Sequence, residues 1–244
     1  MNIAIILAGG VGKRMNPNGI PKQFLKINDI PIIIHTLQVF EECNEIDGIV
    51  ITCVKEYIEY LEELTRQYKI SKVLKIVEGG ETNQLSSYNG IVAANELVNS
   101  TEKNIVLMHD GVRPIIDVDL ISQNIETVKK YGSAISCAQQ KETTVLTDGT
   151  DKQIVSITER ENTYIARAPQ SFFLEELLEA HKKAREAGEK EMIDACSLMS
   201  RYANKHNMHV VKCNSDNIKI TTPDDFYMAE ALIKSRKAKQ ILGV

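Results

Sequence analysis

Gly9, Gly10 and Gly12, followed at once by Lys13 and Arg14 and a few residues later by Lys22, are the first positions in this sequence whose types and spacing could do chemistry. Glycines let backbone N–H groups approach an anion closely, so the turn reads as a phosphate cradle. Arg14 and Lys22 flank it with two positive charges where a triphosphate would lie. Transfer of a phosphoryl or nucleotidyl group builds charge on phosphate oxygens, and preorganised cations stabilise that charge. The bland alternative is a pair of solvated surface cations. Glycine-rich turns after a first strand also occur in dehydrogenases and P-loop proteins. Here Gly12 precedes Lys13 and Arg14 rather than GK[ST], and the second long strand ends in Cys53, Val54 and Lys55 rather than in a ribose-binding acid. Both alternatives are therefore disfavoured.

A second cluster is MHDGVRP, Met108 to Pro114. An acid at the carboxyl end of a parallel strand sits where open α/β sheets bind ligands, which makes Asp110 a candidate Mg²⁺ ligand for an incoming triphosphate. Arg113 could clamp a substrate phosphate bidentately. The structural alternative is an Asp that caps a helix and pairs with the arginine. His109 reads as a satisfied, half-buried histidine rather than a catalyst.

These residues need a frame. Ile- and Val-rich runs at 2–7, 48–54, 73–77, 105–108, 133–138 and 209–213 alternate with helical patterns at 31–43, 55–68, 83–98 and 118–130. Such βα alternation predicts an α/β fold with a mostly parallel central sheet and helices on both faces, a Rossmann-like arrangement. Helices are expected again at 174–186, 194–204 and 224–237. Strand-like runs at 143–146 and 153–157 flank the turn-rich TDGTDK and predict a hairpin, either an arm on a second subunit or an antiparallel edge. The pattern predicts one domain over residues 1–244 with an arm at about 140–166.

Bulk properties exclude other classes. A net charge of −4 with no basic stripe argues against nucleic acid. No apolar run approaches the ~20 residues that span a bilayer, and the N-terminal run gives way to glycines and charges too soon for a signal peptide. Five scattered cysteines without a CxxC pair suggest neither a disulfide framework nor a zinc site, which points to the reducing cytoplasm.

LAGGVGKRM with PKQFL, then GGETNQLSSYNGI, MHDGVRP, ARAPQSFF, MIDACSLM and NIKITTPDDF follow one another as they do in a known family. Over residues 3 to about 233 the chain resembles the cytidylyltransferases that act on methylerythritol 4-phosphate and on ribitol 5-phosphate. The resemblance implies that CTP lies over the glycine loop with Mg²⁺, and that a polyol phosphate attacks its α-phosphorus and expels pyrophosphate. It makes Arg14 and Lys22 the catalytic pair. Leu7, Ala8, Gly9, Gly10, Gly12, Gly80, Glu81, Ser86 and Lys219 become nucleotide-binding residues, and Asp110 the metal ligand. Asp110, Arg113, Thr143, Arg160 and Lys219 become substrate-binding residues, partly supplied by a neighbouring subunit's arm, so a homodimer is implied.

Four departures concern the acceptor. Ala168-Pro169-Gln170 stands where the family usually has TPQ, and Ile193 where a hydroxyl residue usually precedes the acid Asp194. Asn83 replaces a common Arg, and Gly111 a common Ala. Deleting a hydroxyl from a site that hydrogen-bonds a polyol weakens that polyol by about 1–3 kcal/mol. The expectation is a CDP-alditol-forming enzyme that prefers ribitol 5-phosphate or another polyol phosphate. The alternatives are the methylerythritol 4-phosphate enzyme of isoprenoid biosynthesis and a nucleotide-binding relative with a different acceptor.

Overall fold

The computed structural model describes residues 1–10, 19–99, 101–150, 152–203 and 207–242. In chain order the strands are β1 (Asn2–Ala8), β2 (Lys26–Ile27), β3 (Ile30–Pro31), β4 (Gly48–Cys53), β5 (Val73–Glu78), β6 (Ile105–Asp110), β7 (Ser133–Gln139), β8 (Val145–Thr147), β9 (Ile154–Ile157), β10 (Tyr164–Phe173) and β11 (Val210–Lys212). The α-helices are α1 (Ile32–Glu42), α2 (Ile58–Gln67), α3 (Asn83–Asn95), α4 (Val118–Tyr131), α5 (Leu174–Glu186), α6 (Ala195–Tyr202) and α7 (Pro223–Leu242).

Seven strands form one sheet in the order β11-β7-β10-β6-β1-β4-β5, in which β10 alone runs antiparallel to its neighbours. The fold is α/β with a mostly parallel sheet, as the alternation predicts. Ile3, Ala4, Ile5 and Ile6 are all fully buried, because helices cover both faces and leave no side for alternation to show. On one face α1, α2 and α4 bring Ile34, Leu37, Phe40, Leu61 and Ile125 to the core. On the other, α3, α5 and α6 bring Ile91, Ala94, Leu177 and Leu198.

Local chemistry sets the helix ends. Asp117 caps α4 by accepting from Leu120 N at 2.9 Å, and Gly132 ends it with φ 80°, a left-handed cap that costs other residues strain. Helix α7 opens with a reciprocal box in which Thr222 N donates to Asp225 Oδ2 at 2.8 Å and Asp225 N to Thr222 Oγ1 at 3.3 Å, with Pro223 in its first turn.

Two features escape the sequence expectation. Strand β10 fills a segment that the alternation leaves unassigned. The tiny β2–β3 hairpin also escapes the pattern; Asn28 and Asp29 turn it with φ of 50° and 64°, the positive values a tight two-residue turn needs. The expected helix at 194–204 spans Ala195–Tyr202, and Asn204 lies outside the described residues. The expected hairpin is present as the separate two-stranded sheet β8–β9, all of whose residues are exposed.

Candidate active site

The chain passes from β1 outward to β4 and β5, then crosses to the opposite side of β1 for β6. A crevice opens outside the carboxyl ends of β1 and β6 where the winding reverses. Leu7 and Asp110 are register partners at that edge. The cleft there is about 540 Å³ and is lined by Leu7, Ala8, Gly9, Gly10, Lys22, Gly80, Glu81, Ser86, Asp110 and Lys219, among others. A smaller lobe of about 240 Å³ shares Leu7, Asn83, Asp110 and Lys219 with it and extends past Arg113, Arg167, Gln170 and Asp194.

Gly9 fits where no side chain would. A Cβ there would lie 2.9 Å from Ser86 Oγ and 3.2 Å from Gly79 Cα. Ser86 Oγ in turn accepts from Gly80 N at 2.9 Å and donates to the carbonyl of Thr82 at 3.0 Å. One hydroxyl thus ties the loop before α3 to the start of that helix, and the β1 turn packs against it at Gly9. Gln23, 1% exposed, donates from Nε2 to the carbonyls of Ala8 at 2.7 Å and Gly10 at 3.1 Å, which fixes the backbone where it leaves β1. Lys22 Nζ lines the same lobe and donates to Ile220 O at 2.9 Å. The other expected loop residues, Gly12 and Arg14, lie outside the described residues.

Asp110 is the electrostatic centre. Its Oδ1 is 2.6 Å from Lys219 Nζ, and its Oδ2 takes both Nε and Nη2 of Arg113 at 3.2 Å. Burial alone would raise its pKa, but the Lys219 and Arg113 cations outweigh burial and hold the carboxyl at about 2. Arg113 is itself buried, and its Nη1 donates to Asn217 O at 2.7 Å, so the fork that could clamp a phosphate faces Asp110 in this state. Asn217 Nδ2 donates to Ala168 O at 2.7 Å, tying the residues before Lys219 to β10. His109 is buried against Phe40, its Nε2 3.1 Å from Arg113 O; burial, then the Arg113 charge, pushes its pKa down to about 4, so it is neutral.

A solved structure of 4-diphosphocytidyl-2C-methyl-D-erythritol synthase from Anaerococcus prevotii shares this architecture, with a TM-score of 0.81, 26% identity and 96% of each chain covered. The family model for 2-C-methyl-D-erythritol 4-phosphate cytidylyltransferase (IspD) matches residues 2–235. The chain belongs to that family. It is a cytidylyltransferase. Proteins named ribitol-5-phosphate cytidylyltransferase are similar to it over their whole length: one from Streptococcus agalactiae serotype V is 43% identical over 244 residues, and one from Vibrio parahaemolyticus serotype O3:K6 is 44% identical over 243. A 2-C-methyl-D-erythritol 4-phosphate cytidylyltransferase from Prosthecochloris aestuarii is 36% identical over 235 residues, which covers 95% of this chain and 96% of that protein.

In this cytidylyltransferase the fold gathers Lys22, Gly9, Gly10, Gly80, Glu81, Ser86, Asp110, Arg113 and Lys219 around one two-lobed cleft. It does not bring Thr143 and Arg160 there within one chain. They are exposed at the base of the β8–β9 arm, where Arg160 Nη2 donates to Thr143 Oγ1 at 3.3 Å. The sequence reading missed Gln23, Arg167 and Asn217. Only Gln23 left a signal, because an uncharged amide between Lys22 and Phe24 beside a glycine turn is suited to hold carbonyls. Among the described residues no helix is long and apolar enough to cross a membrane.

Proposed function

We propose that the chain transfers a cytidylyl group from CTP to ribitol 5-phosphate, giving CDP-ribitol and pyrophosphate. An acceptor phosphate oxygen bonds to the α-phosphorus of CTP, the α–β bridging bond breaks, and pyrophosphate leaves with the electron pair. The observation that carries a two-substrate reading is the division of the cleft into lobes that meet at Asp110 and Lys219. CTP fits the larger lobe, with Leu7, Ala8, Gly9, Gly10 and Gly12 around its phosphates and Gly80, Glu81 and Ser86 toward its nucleoside. Lys22 and Arg14 stabilise the charge of the transition state. Lys219 faces both substrates, and Asp110 and Arg113 wall the acceptor lobe. Thr143 and Arg160 reach the acceptor from the partner's arm in a homodimer, and the whole chain works as one domain with that arm.

Mg²⁺ enters with the nucleotide. Asp110, ionised and lining both lobes, is the residue that would hold the ion, with its carboxylate giving up contacts to Lys219 or Arg113. When bound, the ion neutralises charge on the triphosphate and the departing pyrophosphate.

The choice of ribitol 5-phosphate leans on the relatives that carry that acceptor in their names, at 43% and 44% identity, against 36% or less for those named for methylerythritol 4-phosphate. Methylerythritol 4-phosphate is the second reading, favoured by the name of the matching family model. Pyrophosphate release should be measured with CTP, UTP, GTP and ATP against both acceptors. The expected result is turnover with CTP and a kcat/KM for ribitol 5-phosphate at least about tenfold above that for methylerythritol 4-phosphate. No pyrophosphate with any polyol phosphate would sink the reading.

A further inference from the structure

We propose that Arg167 recognises the hydroxyl-bearing end of the acceptor, the end remote from its reacting phosphate; this rests on the two-substrate reading above. Arg167 lines the smaller lobe and not the larger one, whereas Lys22 lines the larger and not the smaller. The reacting phosphate has to meet the nucleotide where the lobes join, at Asp110 and Lys219. The rest of the acceptor then extends into the smaller lobe, toward Arg167.

Most of the lobe's other polar side chains are engaged, although the neutral His109 also keeps a buried Nδ1 without a hydrogen-bond partner. Arg113 is spent on Asp110 and Asn217 O, and Lys219 on Asp110. Gln170 donates to Arg167 O and Asp194 Oδ2 at 3.2 Å each and accepts from Cys196 N at 2.8 Å. Asp194 Oδ1 caps α6 by accepting from Ser197 N at 2.8 Å. Asn83 Nδ2 donates to Ile193 O at 2.9 Å. Among the lobe's cationic side chains Arg167 differs: its Nε is buried without a hydrogen-bond partner, and among the described residues no carboxylate lies within ion-pair distance of it. A buried donor left open loses its water and gains nothing in return, so this nitrogen suits an acceptor atom that arrives with a ligand. Its position follows from β10, whose register against β7 shifts between Ala166 and Gln170.

The lobe's mixture of charges selects the ligand class. A second anion would meet the carboxylates of Asp110 and Asp194, both lining the lobe. A hydroxyl suits the mixture, because it accepts from a guanidinium and donates to a carboxylate. Arg offers several N–H groups in one plane, enough to bridge two neighbouring hydroxyl oxygens of a polyol.

The test compares the wild-type enzyme with Arg167→Gln and Arg167→Lys, using pyrophosphate release with CTP and ribitol 5-phosphate. Arg167→Gln should raise KM for ribitol 5-phosphate about tenfold to a hundredfold, leave KM for CTP within about twofold, and keep kcat within a fewfold. Arg167→Lys, which keeps the charge but loses the planar fork, should fall between. Glycerol 3-phosphate keeps the phosphate and drops the distal hydroxyls, so its inhibition constant against ribitol 5-phosphate should not change in either variant. An unchanged KM for ribitol 5-phosphate in both variants overturns the inference, as does a parallel rise in KM for CTP. A weaker glycerol 3-phosphate inhibition would place Arg167 on the phosphate and overturn it too. If the wild-type enzyme itself releases no pyrophosphate with ribitol 5-phosphate, the parent reading fails instead.

Discussion

Gly9 shows how a residue can be legible for one reason and needed for another. The sequence marks it as part of a flexible turn, yet among the described glycines positive φ occurs at Gly132, Gly149 and Gly188, and not at Gly9. What Gly9 supplies is space: its Cα side is closed by Ser86 Oγ and the backbone of Gly79. Gly9→Ala should therefore fold but push the turn away from α3, weakening CTP binding about tenfold, or ~1.4 kcal/mol. Calorimetric titration with CTP would check this, and an unchanged dissociation constant would show that the turn yields without cost. Lys22 and Asp110 were legible because their charges mean the same thing wherever a triphosphate is handled, whereas Lys219 came only with the family resemblance. Arg167 and Asn217 were not. Their importance comes from what surrounds them in space, a bulged strand and a buried guanidinium, and neither leaves a mark in local composition.

Among the elements, the Ile- and Val-rich parallel strands β1, β4 and β6 were readable because they are buried on both faces and carry little else. Strand β10 hid because Arg167, Pro169 and Gln170 interrupt its middle, and a proline inside a run argues against a central strand. The structure accommodates them at the point where pairing with β7 slips. The hairpin was readable from its turn, and the proposed dimer would give it a purpose outside the single chain. Val145, Leu146, Ile154, Val155 and Ile157 are 39–64% exposed, a concentration of apolar surface that monomers rarely leave uncovered. Val155 and Ile157 are two apart and so share a face of β9. Replacing both with Lys should leave the far-UV circular dichroism intact, since both are mostly exposed in their own chain, and should shift sedimentation from dimer to monomer. Sedimentation as a monomer before any substitution would refute the arm's role.

For the molecule as a whole, pH exposes a dependence on buried histidines. His109 and His181 are each pushed down to about 4 by burial, helped by the charges of Arg113 and Arg185 respectively. Both are neutral in the fold, and unfolding restores an ordinary pKa of about 6.5. Their contribution is therefore complete above about pH 6.5 and is lost as the pH falls toward 4, at about 1.4 kcal/mol per pH unit for each. Urea unfolding at pH 7 and pH 5 should show this loss, and His181→Leu should reduce it by about 2 kcal/mol. An identical pH slope in the variant would mean that His181 titrates as though it stood in water.

Strand β10 starts at Tyr164, just beyond the arm, and ends deep in the sheet beside β6, passing Arg167 and Gln170 on the way. The stretch of chain that leaves the hairpin also forms one side of the smaller lobe. In the proposed dimer, quaternary assembly and choice of acceptor would be strung on a single thread, and selection acting on either one would inherit the other as a passenger.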